Sequence, residues 1–277
     1  MITAPGLYFD VEESTYHGDS DLAPQLGPSL SQSGAKTLLT NPARFAWERE
    51  HGRPAKDAFD IGSLIHALAL RGGDNRLRVV DAYDWRAKVT QQAKADAYSA
   101  GLIPVHRGDL REASKVAQAV RRDEMAGAIL SAGRPEVSAY AVDPETGVTL
   151  RARFDWLRDG TGVDCICDLK TAAYGRGTPD AFGKSAAAYD YPVQAWWYRY
   201  VFFLITGRWV PFYTITVETQ APYFVTVGQY SDFDLATGEE RGRTAIREYA
   251  ERRSTGLWTL NPVIHTFDLP GWYGRTA

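Results

Sequence analysis

The chain has 277 residues, of which 44% are hydrophobic, 12% aromatic and 23% charged, and its net charge is −3. This composition excludes a disordered chain and a globally basic protein, so a nucleic-acid partner would need a local positive groove. The length is sufficient for one large domain or two small ones with a hydrophobic core.

The compartment is predicted from the cysteines and the apolar segments. Cys165 and Cys167 are the two cysteines, too few for a disulfide framework or for an all-cysteine zinc or iron–sulfur site. The N-terminal residues are acidic and polar, unlike a signal peptide. The longest apolar run, at 200–206, is far too short to span a bilayer. We therefore expect a cytoplasmic protein without a membrane partner.

The first half of the chain is predicted to be mainly helical. Ser31 or Ser33 should cap a short helix, which a proline turn separates from a second helix. A later segment is apolar nearly all round, which indicates a buried helix, and an amphipathic segment should end at Gly133. The loop-like start, the capped helix pair, the buried helix and the amphipathic helix cover residues 1–28, 29–50, 58–70 and 109–133.

The second half is predicted to alternate between strands and helices. Three strands come first, and a helix that starts at Asp190-Tyr191-Pro192 follows them. A hairpin around Ala221-Pro222, a charged helix and an extended tail complete the chain. Strands flanked by helices predict one α/β domain over residues 1–277. In chain order, these predicted segments cover residues 136–142, 147–158, 163–170, 190–206, 210–218, 223–230, 232–254 and 256–277.

The stretch "CICDLKTA", residues 165–172, carries two charged side chains in an apolar strand. Strand side chains alternate between two faces, so Asp168 and Lys170 share one face. The turn sequence "RDGTG" joins this strand to the preceding one and predicts a hairpin. Asp155 on the preceding strand should therefore meet Asp168 on one polar face, with Lys170 beside them.

Two carboxylates that approach each other repel unless a cation lies between them. Oxygen ligands of this kind suit Mg²⁺ or Mn²⁺, and a neighbouring lysine then fits an electrophile or water-orienting group near a phosphate. The alternative is a solvated ion pair on an edge strand, because a short D-x-K motif occurs by chance.

Five motifs in order along the chain resemble the PD-(D/E)xK nuclease superfamily and its RecB-like branch. More narrowly, they resemble the exonuclease VIII type of phage and prophage recombination exonuclease. The motifs are "SLSQSGAKTLLTNPARFAWE", "GSLIHALAL", "PEVSAYAVDPETGVTLRARFDWL", "DLKTA" and "YPVQAWWYRY", and the closing "LPGW" is also similar. Two features depart from the family pattern: Asp168 stands where glutamate is common, and the proline of the superfamily name is not in its literal place.

The resemblance implies a restriction-endonuclease-like fold, with a central mixed sheet flanked by helices. It implies a Mg²⁺-dependent exonuclease, with Mn²⁺ able to substitute, that resects linear double-stranded DNA from 5′ ends to give 3′ single strands for phage-type recombination. The implied partners are double-stranded DNA ends, a single-strand annealing protein and further copies of the chain in a homo-oligomeric ring. The implied location is the cytoplasm of a bacterial host cell.

The resemblance also implies a set of metal ligands. These would be His66, Asp155, Asp168 and the backbone carbonyl of Leu169. Lys170 would orient or deprotonate the attacking water and stabilise the phosphorane. His66 lies in an apolar helix, where a lone histidine is usually a hydrogen-bonded core residue, although nearby small residues leave room for an ion.

Three further residues are assigned to the catalytic shell by the resemblance, and each has a structural alternative. Glu136 is expected on the strand before Asp155, but it could be an exposed residue at the start of that strand. Gln194 and Tyr198 are spaced i, i+4 and share a helix face, and on that face Trp197 and Tyr191 could serve packing alone.

Arg151 and Arg153 share the predicted strand face of Asp155. They are candidate DNA-binding residues, because a scissile phosphate beside a metal site calls for cationic partners. Their alternative role is that of salt-bridge partners within the protein.

Two other functions remain open from the sequence. Residues 177–185, "GTPDAFGKS", end like the phosphate-binding loop of a P-loop NTPase, but five residues separate the glycines and no strand leads into the segment. The second alternative is a non-catalytic protein that binds DNA ends or supports assembly on a nuclease fold. The intact Asp-Asp-Lys set argues against it.

Overall fold

The computed structural model describes residues 1–18, 22–52, 61–72, 77–81, 86–100, 102–160, 162, 164–259, 264, 266 and 268. Residues 58–60 of the predicted buried helix, Val163 of the third predicted strand and most of the predicted tail, including "LPGW", lie outside the described residues.

Helices dominate the first half of the described chain. Ser31 caps one helix by accepting a hydrogen bond from the Gly34 amide, and Asn41 caps the next. Residues 1–28, which were predicted to be loop-like, contain a strand, a helix and a 3₁₀ turn. The elements are β1 (Gly6–Tyr8), α1 (Glu13–Gly18), the 3₁₀ turn (Pro24–Leu26), β2 (Leu30–Ser31), α2 (Gln32–Thr40), α3 (Pro42–His51), α4 (Ile61–Arg71), β3 (Leu77–Val80), α5 (Lys88–Ser99), β4 (Ile103–His106), α6 (Arg107–Arg122) and α7 (Glu124–Leu130).

The second half contains the longer strands of the large sheet and three helices. Its elements are β5 (Arg134–Val142), β6 (Thr149–Arg158), β7 (Cys165–Ala172), α8 (Pro179–Ala188), α9 (Tyr191–Thr206), β8 (Phe212–Glu218), β9 (Val225–Gly228) and α10 (Asp232–Thr255).

Seven strands form one mixed sheet in the order β1-β5-β6-β7-β8-β9, and β2 pairs with β6 beside this path. The pairs are antiparallel except β2 with β6 and β7 with β8, which are parallel. The predicted β6–β7 and β8–β9 hairpins are confirmed. Strands β3 and β4 form a separate two-stranded parallel sheet.

Helices cover both faces of the large sheet. Successive side chains of β7 show this, because they belong to different hydrophobic clusters. Ile166 belongs to a cluster shared with α2, α9 and α10. Cys167 and Leu169 belong to a second cluster, which α4 and α6 complete. The predicted α/β fold, with a central mixed sheet flanked by helices, is therefore confirmed.

Helix α9 occupies the centre of the first cluster because it is apolar nearly all round. Pro192 lies in its first turn, where no helical N–H donor is needed, and Gly207 ends it with a φ of 72°. Trp196 and Trp197 are buried within this cluster. As with every other described helix, its length and hydropathy do not reach those of a membrane span.

The single amphipathic helix predicted over 109–133 is wrong, since two helices, α6 and α7, occupy this segment. Asp123 separates them with an extended backbone, and its carboxylate accepts hydrogen bonds from the amides of Met125 and Ala126. An aspartate in this position is a strong helix start, and the apolar periodicity that continues across it hides the break.

The segment considered as a phosphate-binding loop has helical structure. Gly183, Lys184 and Ser185 lie inside α8, where backbone N–H groups are used within the helix instead of facing a phosphate. The P-loop alternative is therefore contradicted.

Candidate active site

The two predicted aspartates lie where two neighbouring strands separate. Residues 156–158 of β6 pair with residues 165–167 of β7, and Asp155 and Asp168 are the next residues along the two strands. Further along, β6 pairs with β2 instead of β7. The sheet thus opens into a fork at these carboxylates. The hairpin and the alternation of side chains predict that the two aspartates meet, but they do not predict that the strands separate.

The backbone of Leu169 forms hydrogen bonds with Asp155 and His66 on one side of the fork. Its N–H donates to Asp155 Oδ2 over 2.9 Å, and its backbone also forms a hydrogen bond with the imidazole of His66. His66 Nδ1 lies 3.4 Å from Asp155 Oδ2. Three of the four predicted metal ligands therefore meet where α4 packs on β7.

Asp168 is held from the other side by α9. The residue is only 2% exposed, and its Oδ1 accepts a hydrogen bond of 2.6 Å from Gln194 Nε2. Lys170 Nζ lies 2.6 Å from its Oδ2. Tyr198, one turn further along α9, forms a hydrogen bond with Gln194 and packs edge-on against Phe154. Tyr198 thus acts on the carboxylate through Gln194.

Electrostatics at the fork favour a cation. Burial raises the pKa of Asp155 well above its ordinary value, and the negative charges of Asp168 and Glu136 raise it further, against the opposing effect of Lys170. An ionised carboxylate in such a place is unfavourable without an added positive charge. A bound metal ion would supply that charge.

The two basic side chains at the fork are shifted in opposite directions. Burial would lower the pKa of Lys170, but the charges of Asp168 and Asp155 and the hydrogen bond to Asp168 raise it above its ordinary value. Burial lowers the pKa of His66. Lys170 is therefore an ammonium group, whereas His66 is a neutral imidazole, the form that binds metals.

Glu136 lies on β5 between the residues that pair with Phe154 and Trp156, and so is level with Asp155. Its φ of 53° lies in the left-handed region, where a non-glycine residue is strained and where functional sites are over-represented. Its Oε2 accepts a 2.7 Å hydrogen bond from Arg153. The alternative of an exposed residue at the strand start is wrong, because Glu136 lies within the strand and is half-buried.

Arg151 and Arg153 contact the N-terminal segment of the protein. Arg153 donates to the Val11 carbonyl over 2.9 Å, and Arg151 donates to the His17 carbonyl over 3.3 Å. Both guanidinium groups also lie over the ring of Tyr16, at 5.3 and 5.5 Å from its centroid. The alternative of protein contacts therefore describes both side chains in this structure, and phosphate binding stays a prediction.

Replacing Arg153 with alanine should loosen the N-terminal segment. The change removes the hydrogen bond to Val11 and leaves Glu136 without its closest cation, so we expect the free energy of unfolding to fall by roughly 1–3 kcal/mol. Residues 1–18 should also become more sensitive to limited proteolysis. As a control, Arg107→Ala removes an exposed pair with Asp81 and should change stability by about 0.5 kcal/mol or less. Equal stability and equal protease resistance of Arg153→Ala and the parent protein would contradict the assigned role.

The fork opens into a cleft of about 980 Å³. His66, Glu136 and Asp155 line it, whereas Asp168 is buried. The α4 wall beside His66 consists of Gly62, Ser63 and Ala67, whose small side chains leave the space that the sequence predicts for a strand or an ion. The opposite wall comes from the segment that Arg153 holds, with Val11, Glu13 and Tyr16 among its members.

The residues at the fork fit a hard cation such as Mg²⁺. They offer carboxylate oxygens, a neutral imidazole and the Leu169 carbonyl. Within the part of the chain that the structure describes, no three His, Cys, Asp or Glu side chains are placed together to hold a metal. Gln194 and Lys170 engage both oxygens of Asp168. Since Mg²⁺ commonly takes only one or two carboxylates and keeps several waters, the donor set is chemically sufficient.

Two further residues near the fork were given no role from the sequence. Lys36 on α2 donates to the Tyr189 carbonyl over 2.9 Å. The ring of Tyr191 lies 4.9 Å from Lys170 Nζ. In the motif that contains Lys36, only the serines and the proline carry a sequence signal. Lys36 is also separated from its partner Tyr189 by more than 150 residues. Tyr191 was considered only for packing.

Comparison with known proteins agrees with this fold. The family described as "PDDEXK-like domain of unknown function (DUF3799)" matches residues 31–259. A solved protein from Eubacterium rectale named "Putative exonuclease" has a similar fold, with a TM-score of 0.59 at 17% identity over 90% of this chain and 88% of that chain. A second solved protein, SSO0001, matches at 12% identity over 76% of this chain and 85% of that chain, with a TM-score of only 0.28. No curated protein matches the chain.

Proposed function

The chain belongs to a family of PDDEXK-like domains, and from this premise we propose that it is a divalent-metal-dependent nuclease that hydrolyses DNA. One observation carries the proposal: the strand fork brings together Asp155, Asp168 and Lys170, and His66 lies against the same carboxylate pair. A solvated ion pair on an edge strand does not fit, since β7 lies inside the sheet and Asp168 is buried.

Each residue of the fork would have a distinct task in phosphodiester hydrolysis. When bound, a divalent ion lowers the pKa of water and neutralises the charge of the transition state. Asp155, Asp168, His66 and the Leu169 carbonyl would hold it. Lys170 carries a proton in this site, so it would orient the attacking water and stabilise negative charge as a donor, and its raised pKa disfavours a role as general base.

Gln194 and Tyr198 would serve the reaction by positioning. Gln194 fixes the rotamer of Asp168, which in turn fixes Lys170. Glu136 would add negative charge at the mouth of the site. The phosphate-binding role of Arg153 is part of the proposal, because this residue lines the cleft.

The substrate and the partners extend the same proposal. We infer an exonuclease that acts on linear double-stranded DNA, resects 5′ ends and works in phage-type recombination beside a single-strand annealing protein. The support is the resemblance of the five ordered motifs to exonuclease VIII. The same resemblance supports a homo-oligomeric ring around DNA.

The proposed activity is tested with end-labelled linear duplex and a covalently closed circle in one reaction. We expect loss of the linear DNA in Mg²⁺ or Mn²⁺, survival of the circle, and no cleavage in excess EDTA. Labels placed separately on the 5′ and 3′ ends report the polarity. Undiminished cleavage in EDTA would refute the metal-dependent mechanism, and cleavage of the closed circle at the same rate would refute an exonuclease.

A further inference from the structure

Three aromatic rings form a stack at the start of α9, beside the proposed catalytic lysine. The ring of Tyr191 stacks on those of Phe182 and Tyr189, with centroid distances of 5.9 and 5.6 Å and interplanar angles of 22° and 24°. Tyr189 is 65% exposed. A large planar side chain is thus presented to solvent on a support of parallel rings.

The backbone that carries Tyr189 is held in place by charged side chains. Lys36 donates to the carbonyls of Tyr189 and Asp190, over 2.9 and 3.3 Å. Arg241 donates to the carboxylate of Asp190 over 2.8 Å. Asp190 itself has a φ of 54°, a conformation that persists only where the surroundings enforce it. The backbone at Tyr189 is therefore held by side chains of two helices, α2 and α10.

The stack is continuous with the proposed active site. Lys170 Nζ lies 4.9 Å from the centroid of Tyr191, and Lys36 Nζ lies 5.6 Å from the same centroid. The exposed ring of Tyr189 is thus one aromatic ring away from the ammonium group that would contact the scissile phosphate. Burial lowers the pKa of Lys36 to about 8, and the nearby charge of Lys170 adds to this effect, against the opposing charges of Asp190 and Asp168.

We propose that Tyr189, supported by Tyr191 and Phe182, is a stacking platform for an unpaired nucleobase of the DNA strand whose phosphate lies at Lys170. This inference rests on the proposed function, which supplies the strand. An aromatic face binds any base by stacking and needs no sequence preference. A base in an intact duplex already stacks on its neighbours, so the platform selects a strand end that is frayed or single-stranded. The lysines beside it complement the phosphates of that strand.

The test measures binding of a short single-stranded oligonucleotide in EDTA at low salt. An abasic site is moved along the oligonucleotide one position at a time. We expect the parent protein to lose affinity about tenfold at one position, where the missing base would have stacked. Tyr189→Ala should bind the intact strand about tenfold more weakly and should be insensitive to that abasic site.

Further variants separate aromatic stacking from other effects. Tyr189→Phe keeps the ring and should behave like the parent, whereas Tyr189→Leu keeps apolar volume without a planar face and should behave like Tyr189→Ala. Tyr98→Ala is a matched control, because Tyr98 is also exposed and has a lysine over its ring. It should bind like the parent. The inference is overturned if Tyr189→Ala and Tyr189→Leu bind the intact strand as the parent does, or if the abasic penalty persists in them.

The same preparations distinguish failure of this inference from failure of the proposed function. Each is incubated with linear duplex in Mg²⁺. A parent that cleaves DNA but shows no coupling between Tyr189 and an abasic site contradicts the platform alone. A parent that shows the coupling but cleaves no DNA contradicts the nuclease and leaves the platform supported.

Discussion

Replacing Lys170 with alanine should lower the rate of DNA cleavage by on the order of 10²-fold or more, while DNA binding stays close to that of the parent. The ammonium group stabilises charge that develops only in the transition state. Asp155 and His66 keep their contact with each other in this variant, so metal binding should largely persist. The rate is measured on end-labelled linear duplex under single-turnover conditions, and binding is measured in EDTA.

The same change should also affect stability, because Lys170 is the counter-ion of a buried carboxylate. Its Nζ lies 2.6 Å from Asp168 Oδ2, and removing one partner of a buried pair leaves the other uncompensated. We expect the free energy of unfolding in EDTA to fall by roughly 3 kcal/mol, with partial recovery in Mg²⁺. A solvated edge-strand pair would instead change stability by about 0.5 kcal/mol or less.

A matched control separates loss of a particular lysine from loss of a positive charge. Lys115→Ala removes a half-exposed lysine that pairs with Glu112 on the surface of α6, and it should leave both cleavage and stability near those of the parent. A folded Lys170→Ala protein that degrades linear duplex at the parent rate would contradict the catalytic role of Lys170.

The meeting of Asp155 and Asp168 could be predicted because it depends on short-range patterns. The turn after β6 and the period of two along β7 suffice to bring Asp155 opposite Asp168, and the three strands around them were placed within a few residues. The i, i+4 spacing of Gln194 and Tyr198 likewise places both side chains on the same face of α9. These features depend on local geometry that one sequence contains.

The strict alternation along β6 fails where the backbone is strained. Phe154 and Trp156 should share a face, but they lie in different cores, next to the position level with Glu136. The positive φ of Glu136 disturbs the pleat there. Nothing in the local sequence marks this conformation, because a glutamate rarely adopts it.

Long-range contacts could not be predicted from the sequence either. Arg153 contacts Val11, and Lys36 contacts Asp190, across more than 100 residues in each case. Such pairs depend on how the elements pack, and a basic residue on a polar strand face is equally compatible with a phosphate or with a backbone carbonyl. Local patterns therefore do not determine the partners of Arg151 and Tyr191, whereas they do place Asp155 opposite Asp168.

Replacing Asp155 with asparagine should lower the rate of cleavage but raise stability in the absence of metal, whereas Lys170→Ala should lower both. Cleavage should fall by on the order of 10²-fold or more, because a metal ligand loses its charge. Asparagine keeps an oxygen that can accept the Leu169 N–H, so the fold should survive. The Mg²⁺-induced rise in melting temperature should be smaller than in the parent, because a ligand that binds more weakly stabilises the folded state less at the same concentration.

Without metal, Asp155→Asn should be more stable than the parent at neutral pH. Burial first, and then the charge of Asp168, raise the pKa of Asp155 in the folded protein, so the ionised carboxylate opposes folding. The favourable effect of its protonation is fully present below the unfolded-state pKa and is lost as the pH rises through the raised folded-state pKa. The advantage of the variant should therefore be present at neutral pH and should vanish in acid.

The measurement is denaturant unfolding in EDTA over a pH series, repeated in Mg²⁺. Asp159→Asn is the matched control, because Asp159 lies just after β6 and pairs with Arg208 near the surface, where its loss should change stability by about 0.5 kcal/mol or less at every pH. If Asp155→Asn is less stable than the parent in EDTA at neutral pH, the fork does not hold an excess of negative charge. If Mg²⁺ stabilises the variant as strongly as the parent, Asp155 is not a metal ligand. The charge excess and the metal site are thus tested by different readouts of one substitution, and both must hold for the fork to act as the catalytic centre.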